Sequence, residues 1–138
     1  MKTKTVYMMI AGLMLLCGLA HSEPEKTPSK LCVVWTSADP DVAKNVCFMY
    51  AAGAKKAGWF DEVYLVVWGP SAKLLSEDET IQAEMKAMQK LGVVTEACVA
   101  CARRYGVDGD LKKLGLDVKG MGKPLSDRLK GDWKIITF

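Results

Sequence analysis

Three short apolar runs, each followed by a helical pattern, constrain the fold of this chain most strongly. The runs are Leu31–Thr36, Glu62–Trp68 and Val93–Ala97. Runs of this length without polar alternation are typical of parallel strands that are buried on both faces. Between the second and third runs, Ile81, Met85 and other apolar residues recur at helical spacing, which indicates an amphipathic helix.

The same alternation of strand and helix continues to the end of the chain. We predict a short fourth strand at Leu116–Val118 and a terminal strand at Trp133–Phe138. The helical segments are predicted at residues 42–56, 71–75, 77–91, 98–106, 110–114 and 124–129. Alternation of this kind predicts an α/β fold of three layers, α/β/α, with a mostly parallel five-stranded sheet and right-handed crossovers.

The first 29 residues differ from this pattern and indicate export. Lys2 and Lys4 precede an uncharged, largely apolar run that ends near Ala20 and is followed by small and polar residues. This layout is typical of a secretory signal peptide. We therefore predict a signal peptide at residues 1–22, a flexible lead-in at 23–29, one domain at 30–138 and a periplasmic or secreted location. An uncleaved anchor is the alternative, although the run is short beside the about 20 residues of a membrane-spanning helix.

Charge and histidine content narrow the classes of function. Loss of Lys2 and Lys4 would leave 17 basic and 16 acidic side chains, a net charge of +1 without a basic cluster. Nucleic acid and anionic membranes are therefore poor partners for the processed chain. His21 is the only histidine and precedes the predicted domain, which argues against histidine-dependent catalysis and most histidine-containing metal sites. We predict no cofactor and no metal.

Two thiols, Cys98 and Cys101, are the strongest candidates for chemistry. They lie three residues apart where the third strand runs into a helix, so we expect both on the first helical turn and roughly on one face. The helix N-terminus and the following Arg103 and Arg104 would favour thiolate over thiol. A reactive pair is the leading interpretation; a structural disulfide, a thioredoxin-type dithiol, a zinc half-site and inert burial remain alternatives.

The other candidate residues follow the strands at the same edge of the sheet. Ligands of such folds bind beyond the carboxyl ends of the strands, where Ser37 and the turn Trp68-Gly69-Pro70-Ser71 are expected to join Cys98. The amides after Pro70 and the hydroxyl of Ser71 could hold a small anion, although turns of this composition are common for structural reasons alone. Cys32 and Cys47 lie in strand and helix patterns and are expected to be buried apolar residues.

At these residues the chain resembles the DsrE/DsrF-like family of sulfur-relay proteins. The likeness rests on the segments 66–75 (VVWGPSAKLL), 97–102 (ACVACA) and 133–138 (WKIITF), in this order. It covers about residues 30–138. The resemblance implies a three-layer domain that assembles into homotrimers or homohexamers. It also implies a cysteine at the tip of the third strand that carries sulfur as a persulfide, which falls on Cys98, with Cys101 as an extra thiol. The resemblance also implies work in the cytoplasm beside partner subunits, whereas residues 1–22 of this chain are predicted to direct export.

Three functions compete on this basis. The first is an exported sulfur carrier, with Cys98 and Cys101 as catalytic residues and with a sulfur donor or acceptor protein, or a small sulfur anion, as partner. The second is a non-catalytic module that binds a small anion or supports assembly, in which the cysteines are structural. The third is an exported dithiol oxidoreductase.

Overall fold

Five parallel strands form a single sheet in the computed structural model, which describes residues 27–138. The strands are β1 Lys30–Trp35, β2 Glu62–Val67, β3 Val94–Cys98, β4 Asp117–Lys119 and β5 Trp133–Thr137. Their order across the sheet is β4-β3-β2-β1-β5, and every neighbouring pair is parallel. The central strand β2 is almost continuously apolar because side chains on both of its faces pack against other elements.

Helices connect these strands. They are α1 Pro40–Val42, a π-helical stretch Ala43–Phe48, α2 Met49–Lys56, α3 Ser71–Glu77, α4 Glu79–Lys90, α5 Val99–Tyr105, α6 Asp108–Lys113 and α7 Gly122–Lys130. Carboxylate caps begin two of them: Asp39 accepts hydrogen bonds from the amides of Asp41 and Val42, and Asp78 accepts from those of Thr80 and Ile81. A carboxylate in this position satisfies amides that have no partner within the helix.

The strand order places six helices on one face of the sheet and α7 on the other. From β1 to β4 each crossover moves in the same direction, so right-handed connections put their helices on one face; the return from β4 to β5 runs the opposite way and puts α7 on the second face. The side chains agree with this. A large core around Trp35, Leu65 and Met85 lies under α1–α6, and a smaller cluster around Cys32, Val66 and Met121 lies under α7.

The predicted α/β fold with three layers and five strands is confirmed, and the sheet is parallel throughout. Helix boundaries differ in places. The predicted helix at 42–56 contains the π-helical stretch Ala43–Phe48. Helix α4 begins after Asp78, because this residue is extended (φ −106°, ψ 108°) and caps it. Within residues 27–138, none of the helices combines the length and the apolar character that crossing a membrane requires.

The predicted signal peptide at 1–22 lies outside the described residues. Of the predicted lead-in at 23–29, residues 27–29 are described. The last of them, Ser29, is tied to the domain, because its backbone amide and its hydroxyl both donate to a carboxylate oxygen of Asp61 at 2.6 and 2.8 Å.

Candidate functional site

The ends of β1, β2 and β3 lie level with one another at one edge of the sheet. Trp35 pairs with Val67, and Val67 pairs with Ala97. The loops that follow these three strands therefore begin side by side. This register brings the turn at Trp68–Ser71 next to Cys98, as the sequence predicts.

Cys98 is the last residue of β3 and the residue that precedes α5. Its backbone is extended (φ −71°, ψ 112°), so it lies before the helix and not within the first turn, where we expected it. Its side chain joins the cluster under α7, which includes Val66 and Met121, and is 6% exposed. By comparison, Cys32 and Cys47 are 0% exposed. The thiol of Cys98 thus lies close to the surface of the domain but is largely covered.

Cys101 lies on α5, is partly exposed and packs against the same cluster. Burial and the neighbouring Cys98 thiol raise the pKa of Cys101 above its usual value of 9.0, while the amide N–H of Gly69 and the charge of Arg104 oppose this shift. The expectation that the helix N-terminus and the following arginines favour the thiolate is therefore wrong for Cys101. Burial disfavours the anion more than the Gly69 amide and the charge of Arg104 favour it. Cys101 is a protonated neighbour of Cys98 at neutral pH.

Trp68 and Gly69 complete this site. The indole ring of Trp68 packs on the cluster that contains Cys98. Gly69 has a left-handed backbone (φ 75°), which L side chains rarely adopt. This conformation turns the chain at the end of β2 and presents the Gly69 amide to Cys101.

Ser71 and Pro70 have different surroundings. The hydroxyl of Ser71 is fully buried; it donates to the carbonyl oxygens of Trp35 (2.6 Å) and Trp68 (3.1 Å) and accepts from the amide of Trp68 (3.1 Å). This hydroxyl is thus committed to joining the ends of β1 and β2. Pro70 is exposed and lines a neighbouring pocket of about 220 Å³, together with Ala38, Lys73, Leu74, Glu77 and Tyr105.

Ser37 lies in the loop after β1 and is partly exposed. Its hydroxyl oxygen accepts a hydrogen bond from the amide of Asp39 at 3.1 Å, so it supports the start of α1. The structure therefore brings Cys98, Cys101, Trp68 and Gly69 into one site. The buried hydroxyl of Ser71 holds the end of β1 to the turn after β2 beside this site. No contact places Ser37 beside the two thiols.

An ion cluster next to the thiols escaped the sequence analysis. Glu96 is two residues before Cys98 on the same face of β3, and its side chain is 3% exposed. The guanidinium of Arg128 on α7 contacts both of its carboxylate oxygens, at 2.6 and 2.9 Å, and the ammonium of Lys119 contacts one of them at 2.8 Å. Burial alone would raise the pKa of Glu96, but these two cations hold it below its usual value.

Aromatic rings enclose the guanidinium of Arg128. It lies 4.7 Å from the ring centres of both Tyr64 and Trp133, and its Nη1 is 3.6 Å from the sulfur of Cys32. The sequence did carry one signal for this cluster, since Glu96 is a lone charge in the middle of a buried strand. A charge in such a position requires a partner of opposite sign, but only the strand order and the path of α7 identify it.

The two remaining described cysteines are buried, as predicted. Cys47 lies in the large core, and burial raises its pKa to about 12. Cys32 lies on the other face, where contact with Arg128 makes its surroundings less apolar than we expected. Among residues 27–138, no three His, Cys, Asp or Glu side chains are grouped so that they could hold a metal ion.

Comparison with known families and structures gives consistent results. The sequence pattern of the DsrE/DsrF-like family matches residues 29–138. A conserved protein of unknown function from Bacteroides thetaiotaomicron, BT1422, is 35% identical, with 80% of this chain and 95% of that chain covered and a TM-score of 0.77. The ychN protein from E. coli shares the fold at 13% identity, with 81% and 100% covered and a TM-score of 0.59. No protein with a curated description matches the chain.

Proposed function

Because this chain belongs to the DsrE/DsrF-like family, we propose that it is an exported sulfur carrier in which Cys98 holds sulfane sulfur as a persulfide. The single observation that carries this proposal is the position of Cys98. It stands at the tip of the third strand, next to a second free thiol and to the turn at Gly69. Family membership makes a sulfur-relay role the leading expectation for a thiol in this position.

The loading step exchanges one sulfur–sulfur bond for another. The thiolate of Cys98 attacks the terminal sulfur of a donor persulfide, R–S–SH, so that a new bond forms at Cys98 and the donor leaves as R–S⁻. An acceptor thiolate then attacks the outer sulfur of the Cys98 persulfide and restores the Cys98 thiolate. No net oxidation occurs, so the carrier needs no cofactor.

Cys101 has two possible roles in this cycle. As a protonated neighbour it can donate its S–H to the anionic sulfur on Cys98, which would stabilise the loaded form. Alternatively, its thiolate can attack the inner sulfur of the persulfide, which forms a Cys98–Cys101 disulfide and expels HS⁻; an external dithiol must then reduce the disulfide. The raised pKa of Cys101 supports the first role at neutral pH, because the second requires its thiolate.

The experiment that tests the carrier function is mass spectrometry after treatment with inorganic polysulfide. We expect a mass increase of about 32 Da, one sulfur atom, on Cys98. Cys98→Ser should abolish the adduct, and Cys101→Ser should retain it with a shorter lifetime. Cys47→Ala serves as the matched control, since it removes a thiol that is buried in the large core. Absence of an adduct on both Cys98 and Cys101 would end this proposal.

A second function has one observation in its favour, the low exposure of Cys98 at 6%. In this case the chain is a non-catalytic module of the same fold that binds a small anion or supports assembly, and both cysteines are structural. Cys98→Ser would then leave ligand binding and any cellular phenotype intact. If Cys98 carries sulfur, the same substitution should abolish both.

Location and assembly belong to the same proposal. The basic start and the apolar run before residue 22 support export to the periplasm or the medium. N-terminal sequencing of protein from its native compartment tests this, and an intact Met1 on exported protein would indicate an uncleaved anchor. The family resemblance supports a homotrimer or homohexamer, and light scattering coupled to size-exclusion chromatography measures the number of subunits.

A further inference from the structure

Lys119 occupies the position next to Cys98 in the sheet. The two residues are paired between the parallel strands β3 and β4, and neighbouring strands lie about 4.8 Å apart. Side chains of paired residues point to the same face of a sheet. The four-carbon stem of Lys119 is therefore long enough to bring its ammonium group against the sulfur of Cys98.

In the structure this ammonium group contacts two carboxylates. It lies 2.5 Å from an oxygen of Asp117 and 2.8 Å from an oxygen of Glu96. Hydrogen bonds to Asp117 and then to Glu96 raise the pKa of Lys119, so the side chain is charged at neutral pH.

Neither carboxylate depends on Lys119. Glu96 keeps both contacts to the guanidinium of Arg128, at 2.6 and 2.9 Å. The side chain of Asp117 is 58% exposed, so water can replace the ammonium group there, and ion pairs at exposed positions contribute little. Lys119 itself is 39% exposed. It can thus turn toward Cys98 without leaving a buried charge unpaired.

The charges of this cluster balance as long as Cys98 is neutral. Glu96 and Asp117 carry two negative charges, and Arg128 and Lys119 carry two positive ones. An anionic sulfur on Cys98 adds a third negative charge within this cluster. Arg128 cannot move to meet it, because this side chain is buried between two aromatic rings. Lys119 can.

We infer that Lys119 is the counter-ion of the sulfur on Cys98: it turns from Asp117 to Cys98 when this sulfur becomes a thiolate or a persulfide anion. The inference deepens the proposed carrier function and rests on it. The charged and titratable side chains that face this cluster are Cys101 and Arg104 on α5, Asp117 and Lys119 on β4, Glu96 on β3, Arg128 on α7, Cys32 on β1 and Tyr64 on β2.

The test measures how fast Cys98 reacts with iodoacetamide, a neutral reagent that the protein's charge does not attract. A Cys101→Ser background assigns the reaction to Cys98, and peptide mass spectrometry confirms the site. We expect Lys119→Met to lower the rate at pH 7 about tenfold and to move the pH profile upward, the smallest effect that a nearby opposite charge usually has. Lys119→Arg should restore the rate, because it retains the charge.

A second variant is expected to change the alkylation rate in the opposite direction. Asp117→Asn removes a carboxylate that holds Lys119, so we expect the rate at Cys98 to rise about threefold. The rise should disappear in the Lys119→Met, Asp117→Asn double variant, which excludes a general loosening around Cys98 or the lost negative charge alone as its cause. Lys112→Met is the matched control, since Lys112 is an exposed lysine paired with the partly exposed carboxylate of Asp108 on α6, and its rate should equal that of the parent.

Equal rates in the parent and in Lys119→Met would overturn the inference. If Lys119→Met does not fold, Lys119→Gln takes its place in both the single and the double variant, and an unchanged or lower rate in Asp117→Asn would overturn the inference as well. Because alkylation requires no sulfur donor, this outcome is separate from the polysulfide experiment. A protein that alkylates as expected but accepts no sulfur would contradict the carrier function only.

Discussion

The ion pair between Glu96 and Arg128 gives the most quantitative prediction for this protein. Both partners are largely buried, with side chains 3% and 10% exposed, and two contacts of 2.6 and 2.9 Å join them. Removal of one partner from a buried pair costs about 3–5 kcal/mol, because the remaining charge has neither water nor a partner. Arg128→Met keeps much of the apolar stem between the rings of Tyr64 and Trp133 but leaves Glu96 with Lys119 alone. We therefore expect a loss of about 3 kcal/mol in the free energy of unfolding at pH 7.

The pH dependence separates this mechanism from a simple loss of packing. In the parent, the pKa of Glu96 is held below its usual value. The stability that the pair contributes is therefore fully present above the unfolded pKa of about 4.3 and is lost as the pH falls through the lower folded value. In Arg128→Met only Lys119 opposes the effect of burial, so the pKa of Glu96 should be less depressed and its protonation should relieve part of the penalty. The difference in stability between variant and parent should thus shrink between pH 7 and pH 4.

Urea unfolding followed by tryptophan fluorescence measures the loss of stability and its pH dependence. Parent and variant should show the same slope of unfolding free energy against urea concentration, which makes their transitions comparable. Arg103→Met is the control, since Arg103 is exposed on α5 and its replacement should change stability by less than about 0.5 kcal/mol. The double variant with Glu96→Gln should regain part of the loss, because it removes a buried charge that would keep Lys119 as its one remaining cationic contact. A loss of less than about 1 kcal/mol that is the same at pH 7 and pH 4 would refute this reasoning.

Three further predictions concern the support of the site. Gly69→Ala should lower stability by about 1 kcal/mol through backbone strain alone, because φ is 75° and an added Cβ would meet no atom within 4 Å; a loss of several kcal/mol in urea unfolding would point to a steric clash instead. Ser71→Ala should cost about 1–2 kcal/mol, because it removes the buried hydroxyl that joins Trp35 to Trp68, and an unchanged melting temperature would speak against this role. In the folded protein, Cys47 should resist alkylation at pH 8, because its pKa is about 12 and its side chain is fully buried. Peptide mass spectrometry measures the rate at each cysteine, and a rate at Cys47 as high as that at Cys101 would contradict this burial.

Much of the fold was predictable from local sequence patterns. The apolar runs of β1 to β3 and the helical spacing of α4 each depend on neighbouring residues, and so does the turn at Gly69. The right-handed crossover rule then links these elements into a parallel sheet. For the same reason the sequence places Cys98 and the turn after β2 at one edge, since carboxyl ends of parallel strands meet there.

Other properties of the site depend on contacts between distant segments, and local patterns cannot supply them. Nothing in the sequence around Cys98 indicates that its side chain is largely covered by a cluster from several elements, or that burial raises the pKa of Cys101. The expectation for Cys101 was wrong because sequence spacing reveals the helix N-terminus but not the desolvation that opposes it.

The sequence by itself determined the alternation of strands and helices and the pair of thiols at the end of β3, because both follow from residues that are close along the chain. Only the tertiary structure decided which charges surround these thiols. Glu96, Lys119 and Arg128 come from three separate elements, and they meet because β4 lies next to β3 and α7 crosses the face that both share. A buried charge needs a partner wherever the fold can provide one, and the order of the strands determines which residue that is.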